Sequence, residues 1–90
     1  MNYKETYRIA FGYAPDEYHS CELCKRRAVD IHHIKYRSRG GTDNIENLIG
    51  LCRDCHTDAH NEILSEGVLR IAHLRFMTAT TGAFGKKLKL

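Results

Sequence analysis

Two Cys-x-x-Cys pairs, Cys21/Cys24 and Cys52/Cys55, constrain the fold of this chain more than any other feature. Each pair puts two sulfurs on one tight turn, and two such turns can close a tetrahedral thiolate shell around a structural zinc ion. The 27 residues between the pairs exceed the loop of most zinc ribbons, so the intervening segment is expected to carry something of its own. A mixed site of Cys52, Cys55, His56 and His60 would orphan Cys21 and Cys24, and disulfides are the remaining alternative. Ninety residues make one small domain, 1–90, which buries too little apolar surface to be comfortably stable on its core alone. A structural metal fills that gap.

The rest of the chain reads as a small α+β unit with no repeat, no low-complexity tract and Pro15 as its single proline. Tyr7, Ile9, Phe11 and Tyr13 alternate as in a strand, while Tyr3, Tyr7 and Ala10 also fit one face of a helix, so the opening segment stays undecided. Ala28 to Ile34 is a β-branched run that predicts a strand, Gly40-Gly41 breaks the chain in a loop, and Leu48, Ile49 and Leu51 suggest a second strand. A helix is expected from about Asp54 to Leu64, with His56 and His60 on one face. Gly67 is expected to interrupt it, before a second helix over Val68 to Thr78 turns Leu69, Ala72, His73 and Phe76 inward. The motif core is thus 21–60, with 61–90 as a helical extension ending in the mobile, basic tail Gly85 to Leu90.

Four of the six histidines sit in two clusters next to the cysteines. Adjacent residues of a strand face opposite ways, so His32 and His33 cannot both be ordinary ligands of one ion. One ring can coordinate a metal while the other stays a free base able to take a proton from water. His56 and His60 would complete a three-imidazole site with positions left open for a phosphate oxygen and water. The bland reading, that His32, His56 and His60 are solvated surface residues, suits a lone histidine better than two clusters beside a cysteine pair, whereas His19 and His73 show no constellation and receive no role.

Asp30-Ile31-His32-His33-Ile34, Gly40-Gly41, Asn47-Leu48 and Leu51-Cys52-Arg53-Asp54-Cys55-His56, closing at His60, together resemble the HNH endonuclease family in its four-cysteine form, with the spacing of ββα-metal nucleases. The resemblance implies a hairpin-plus-helix stapled by zinc, with His33 as general base and His32, His56 and His60 as ligands of one catalytic divalent ion. Asn47 matches the middle letter of the motif, an asparagine that ties the loop and orients the base through the backbone. Relatives often carry aspartate where this chain has His32. Imidazole nitrogen suits Mn²⁺, Ni²⁺, Co²⁺ or Zn²⁺ better than Mg²⁺, so transition metals are expected to serve at least as well. The implied reaction is hydrolysis of a DNA phosphodiester, by nicking or double-strand cleavage.

The net charge is only +3, but Lys25, Arg26, Arg27, Lys35, Arg37 and Arg39 face Asp30 alone across their stretch, which suits a polyanion. Lys35, Arg37, Arg39 and Arg53 are the candidate DNA contacts, and the Lys86-Lys87-Lys89 tail a weak nonspecific anchor. The N-terminus lacks an apolar signal core and no stretch approaches a membrane span, so a reducing cytoplasm, bacterial or phage-infected, is expected. Likeness to small phage-type HNH proteins suggests DNA processing during phage replication or packaging. A noncatalytic zinc-dependent DNA-binding module, and a nuclease subunit active only beside a recruiting protein, are the rival readings, and the chain would act as monomer or homodimer.

Overall fold

The N-terminal segment is a helix. In the structure, a computed structural model that describes residues 2–80, α1 spans Tyr3–Phe11. The Asn2 side chain accepts a hydrogen bond from the Glu5 N–H at 2.9 Å, satisfying a donor that the first turn would otherwise leave orphaned. The last turn closes through Gly12 and Tyr13 N–H groups bonded to the Ile9 and Arg8 carbonyls. These caps decide the helix over the alternating pattern. The predicted basic tail, 85–90, lies outside the described residues.

Two antiparallel strands form the hairpin, β1 at Asp30–His33 and β2 at Leu48–Leu51. β1 is shorter than the run Ala28 to Ile34 had suggested. Asp30 pairs Leu51, Ile31 pairs Gly50, His32 pairs Ile49 and His33 pairs Leu48. The connecting residues fold into two 3-10 turns, Arg37–Arg39 and Ile45–Asn47, and a Cβ at Gly41 would overlap the Lys35 carbonyl. α2, Arg53–His60, starts at the second cysteine pair, where Cys52 Sγ caps the Cys55 N–H at 3.4 Å. It ends earlier than predicted, because Glu62 turns into the left-handed region at φ 61° and Ile63 N–H returns to the Asp58 carbonyl. α3, Glu66–Thr80, begins before Gly67, which lies in its first turn and interrupts nothing. Ser65 Oγ accepts from Val68 N–H there, and Gly costs little where the backbone donors have no helical partners.

Cys21, Ile34, Ile49, Leu51, Cys52, Ala59 and Leu69 form one buried cluster, so each cysteine pair is rooted in the core by its first member, while Cys24 is exposed. α1 covers the other side of the hairpin. Tyr7 is fully buried there, and a Cβ on Gly50 would come within 2.7 Å of its hydroxyl oxygen, so β2 admits only glycine at that point without a shift.

A buried polar network ties these layers together. Tyr7 donates to Glu22 Oε2 at 2.6 Å, Gly50 N–H donates to the same oxygen at 3.1 Å, and His73 Nδ1 meets Glu22 Oε1 at 2.7 Å. His73 Nε2 donates to the Ile45 carbonyl at 2.7 Å. Burial, then the Glu22 charge, raises the Tyr7 phenol far above its usual range, keeping it a donor. Glu22 stands inside the first cysteine turn, so α1, α3 and β2 all grip that turn through one carboxylate. His73, read from sequence as without a role, is therefore a structural residue, 2% exposed; leaving any buried member unpartnered costs about 1–3 kcal/mol. His19 likewise has a place, stacked on Tyr13 with ring centres 4.2 Å apart.

Candidate functional site

The four cysteines converge, with their sulfurs all within 4.8 Å of one another. Cys24 and Cys52 Sγ atoms lie 3.5 Å apart, far beyond the roughly 2.05 Å of a disulfide and near the ~3.8 Å edge of a tetrahedron with ~2.3 Å zinc–sulfur bonds. The Arg26 side chain, donating to Cys24 Sγ at 3.4 Å, holds that thiol down to about 6, whereas burial pushes the Cys55 thiol up. So many sulfurs in so small a volume carry charge together only when a cation shares it. The donor set and spacing fit a zinc ion. The mixed cysteine–histidine site fails on geometry, because His56 and His60 gather elsewhere.

They gather with His32, and the ligand atoms of the three rings also lie within 4.8 Å of one another. The ring centres of His32 stand 5.1 Å from His56 and 5.6 Å from His60, and those two stand 4.7 Å apart, one helical turn along α2. Burial, then the neighbouring His56 and His60, lowers His32 to about 4, so its lone pair is available at neutral pH. His56 Nδ1 meets Asp30 Oδ2 at 2.8 Å; a carboxylate accepts, so Nδ1 carries the hydrogen and Nε2 is left for an ion. Arg53 Nε also approaches Asp30, at 3.4 Å. Tyr36 hydroxyl is 3.5 Å from His60 Nδ1. Asp30→Ala is expected to weaken Ni²⁺ or Co²⁺ binding at the imidazoles by roughly 10–100-fold with zinc retained at the cysteines, as titration calorimetry beside metal analysis would read.

Strand alternation separates the adjacent histidines. Asp30 and His32 face α2, whereas His33 faces α1, its ring edge-to-face with Tyr3 at 4.7 Å. Both sets nonetheless border one open cleft, shared by Tyr3, His32, His33, Tyr36, His56 and His60. His33 Nε2 lies 2.8 Å from Asp43 Oδ1, and Arg37 forks onto both Asp43 oxygens at 3.0 and 2.9 Å. The His33 bond, then the Arg37 guanidinium, lowers the Asp43 carboxyl below its usual range. Asn47 is buried and bonds the loop to itself: its Oδ1 accepts from Lys35 N–H at 2.8 Å, and its Nδ2 donates to the Lys35 and Thr42 carbonyls at 3.0 and 2.8 Å. Asn47 O also accepts from Ile34 N–H, next to His33.

Of the four candidate DNA contacts, Lys35 and Arg39 are exposed on the loop. The Arg37 fork is engaged with Asp43, and Arg53 leans on Asp30. Sequence reasoning missed Asp30, Asp43 and Glu22. Asp30 had a signal, since the alternation that separates His32 from His33 puts Asp30 on the His32 face. Asp43 and Glu22 had none.

A four-cysteine cluster able to hold zinc and an imidazole cluster on one hairpin and helix define a small α+β domain of the ββα type. Residues 21–62 match the family model "HNH endonuclease", and this segment carries both clusters. The "Type IV methyl-directed restriction enzyme EcoKMcrA" of Escherichia coli (strain K12) is 32% identical over 50 residues, a match covering 44% of this chain and 18% of that protein. This chain therefore spans less than a fifth of that relative's length. No solved structure matches significantly. Among the described residues no helix is long and apolar enough to cross a membrane.

Proposed function

We propose that this chain is a metal-dependent DNA endonuclease that acts through His33 as general base and one divalent ion at His32, His56 and His60. The observation that carries this reading is the single cleft bordered by a three-imidazole cluster and, from the opposite face of the same strand, by His33. A base and a ligand set so arranged can address one phosphodiester from two sides.

His33 takes a proton from a water molecule, the water oxygen bonds to phosphorus, and the bond from phosphorus to the 3′ oxygen breaks. That oxygen collects a proton from solvent, leaving 5′-phosphate and 3′-hydroxyl ends. The bound ion would supply Lewis-acid stabilisation of the charge building on the departing oxygen. Asn47 holds the loop beside the base. Lys35 and Arg39 are the side chains best disposed to meet backbone phosphates, while Arg37 and Arg53 reach DNA only by giving up Asp43 and Asp30. The cysteine site takes zinc, and the imidazole site takes Mn²⁺, Ni²⁺, Co²⁺ or Zn²⁺ at least as readily as Mg²⁺. The protein acts in the cytoplasm as a monomer or homodimer.

A second reading, in which target choice belongs to a recruiting protein, draws support from the relative, where the matched segment is a small part of a restriction enzyme. Supercoiled plasmid incubated with the full chain separates the cases. Nicked or linear product is expected with Mn²⁺, Ni²⁺ or Co²⁺ at rates no lower than with Mg²⁺. Cleavage with Mg²⁺ alone would refute the imidazole ligand set. A protein that shifts DNA on a gel and cuts with no metal would be the noncatalytic module or a subunit awaiting its partner.

A further inference from the structure

His33 does not face the cleft unsupported. Its Nε2 is 2.8 Å from Asp43 Oδ1, and the carboxylate is held from behind by both arms of the Arg37 guanidinium. An ionised carboxylate only accepts hydrogen bonds, so the ring nitrogen it meets carries the hydrogen and the lone pair is left on Nδ1. Tyr3 braces the arrangement from α1, its ring 4.7 Å from that of His33 and 5.1 Å beneath the Arg37 guanidinium. Three side chains from two elements thus fix one imidazole in orientation and tautomer, on a loop whose shape Asn47 maintains.

We propose that Asp43 is a positioning residue that holds His33 as the Nε2–H tautomer, so that Nδ1 receives the proton from water, and that Arg37 serves this site as the clamp on Asp43. The inference rests on the reading of His33 as the base. It assigns Arg37 to the reaction rate, where a free phosphate contact would act on DNA affinity. The physical logic is that of any base histidine whose second nitrogen is tied to a carboxylate: the tie removes the unproductive tautomer and fixes the ring at its angle to the substrate.

Nitrogen-15 spectra of the histidine rings in the zinc- and magnesium-loaded full chain, read beside plasmid-nicking kinetics, test this directly. The wild type is expected to show His33 protonated at Nε2 and bare at Nδ1, and Asp43→Ala to lose that preference. Asp43→Ala should lower kcat roughly 10–100-fold with KM within about twofold, the size seen when a group orienting a functional histidine is removed. Asp43→Asn can turn its amide N–H toward Nε2 and favour the Nδ1–H tautomer, so it should be at least as slow as Asp43→Ala, whereas Asp43→Glu keeps the carboxylate and should restore the tautomer and part of kcat. Arg37→Ala should lower kcat in the same sense, and the double variant should be no slower than Asp43→Ala, because the two side chains act through one contact.

A wild-type ring protonated at Nδ1, an Asp43→Ala protein with unchanged or higher kcat, or a loss confined to KM would each overturn the assignment. A wild type that nicks nothing with any metal removes the base reading and this role with it. A wild type that nicks while Asp43→Ala keeps the native tautomer removes the positioning role alone.

Discussion

Cys52→Ala is expected to abolish the cooperative thermal transition of this domain and to release its zinc. Small domains have net stabilities of about 5–15 kcal/mol, and structural zinc contributes about 10–16 kcal/mol of apparent binding free energy in small modules, where binding and folding are the same process. Losing one ligand of four therefore removes more than the fold can spare. Cys52 is also the cap of α2, its sulfur accepting the Cys55 N–H, and a member of the buried cluster with Cys21, Ile49 and Leu51. The helix that carries His56 and His60 toward His32 starts at this residue, so loss of the thiolate site removes the imidazole site as well. Circular dichroism melting with metal analysis on the same sample provides the check. A variant with a native transition and a full zinc complement would overturn the four-cysteine site.

That dependence explains which parts of the molecule could be read in advance. The cysteine turns, the pairing of His56 with His60 and the opposed faces of His32 and His33 are local: spacing on a turn, a helix or a strand decides them, and spacing is what a sequence displays. The hairpin and two following helices were legible for the same reason, with errors at the ends, where Ser65 and Glu62 set boundaries that Gly67 had been expected to set. α1 stayed undecided because its aromatic residues satisfy both periods, and only the Asn2 cap breaks the tie.

What could not be read is long-range. Glu22 meets His73 across 51 positions, and that contact exists only because α1, the first cysteine turn and α3 pack around one carboxylate. Asp43 sits ten positions from His33 in a loop without regular structure, so no periodicity connects them. The partners of individual cations were hidden for a related reason. Arg37 belongs to a basic run that faces Asp30 alone and Arg53 is a candidate DNA contact outside that run, yet Arg37 is forked onto Asp43 and Arg53 lies against Asp30. Net charge along a segment shows attraction to polyanions in general, whereas the pairing of each cation depends on the fold.

His33→Ala is expected to lower the nicking rate by roughly 10²–10⁴-fold, the range for loss of a positioned general base, while leaving the melting transition and the zinc content as in wild type. The two halves of that expectation come from different features. His33 stands outside the buried cluster, its partners Tyr3 and Asp43 are not members of it, and the four cysteines gather elsewhere, so truncation leaves the core and the cysteine cluster untouched. The three rings that would hold the second ion lie between α2, which carries two of them, and the face of β1 opposite His33, so their spacing does not depend on His33 either. Comparing plasmid nicking by wild type and variant under Mn²⁺, each with its metal content measured, reads both halves at once. Wild-type rates in the variant would remove His33 from the chemistry. Loss of rate together with loss of the imidazole-bound ion would make His33 a supporter of the metal site. Only a fall in rate at constant metal content leaves proton transfer as the step that His33 performs, and its size should exceed that of Asp43→Ala, because losing the acceptor is a larger defect than losing the group that orients it.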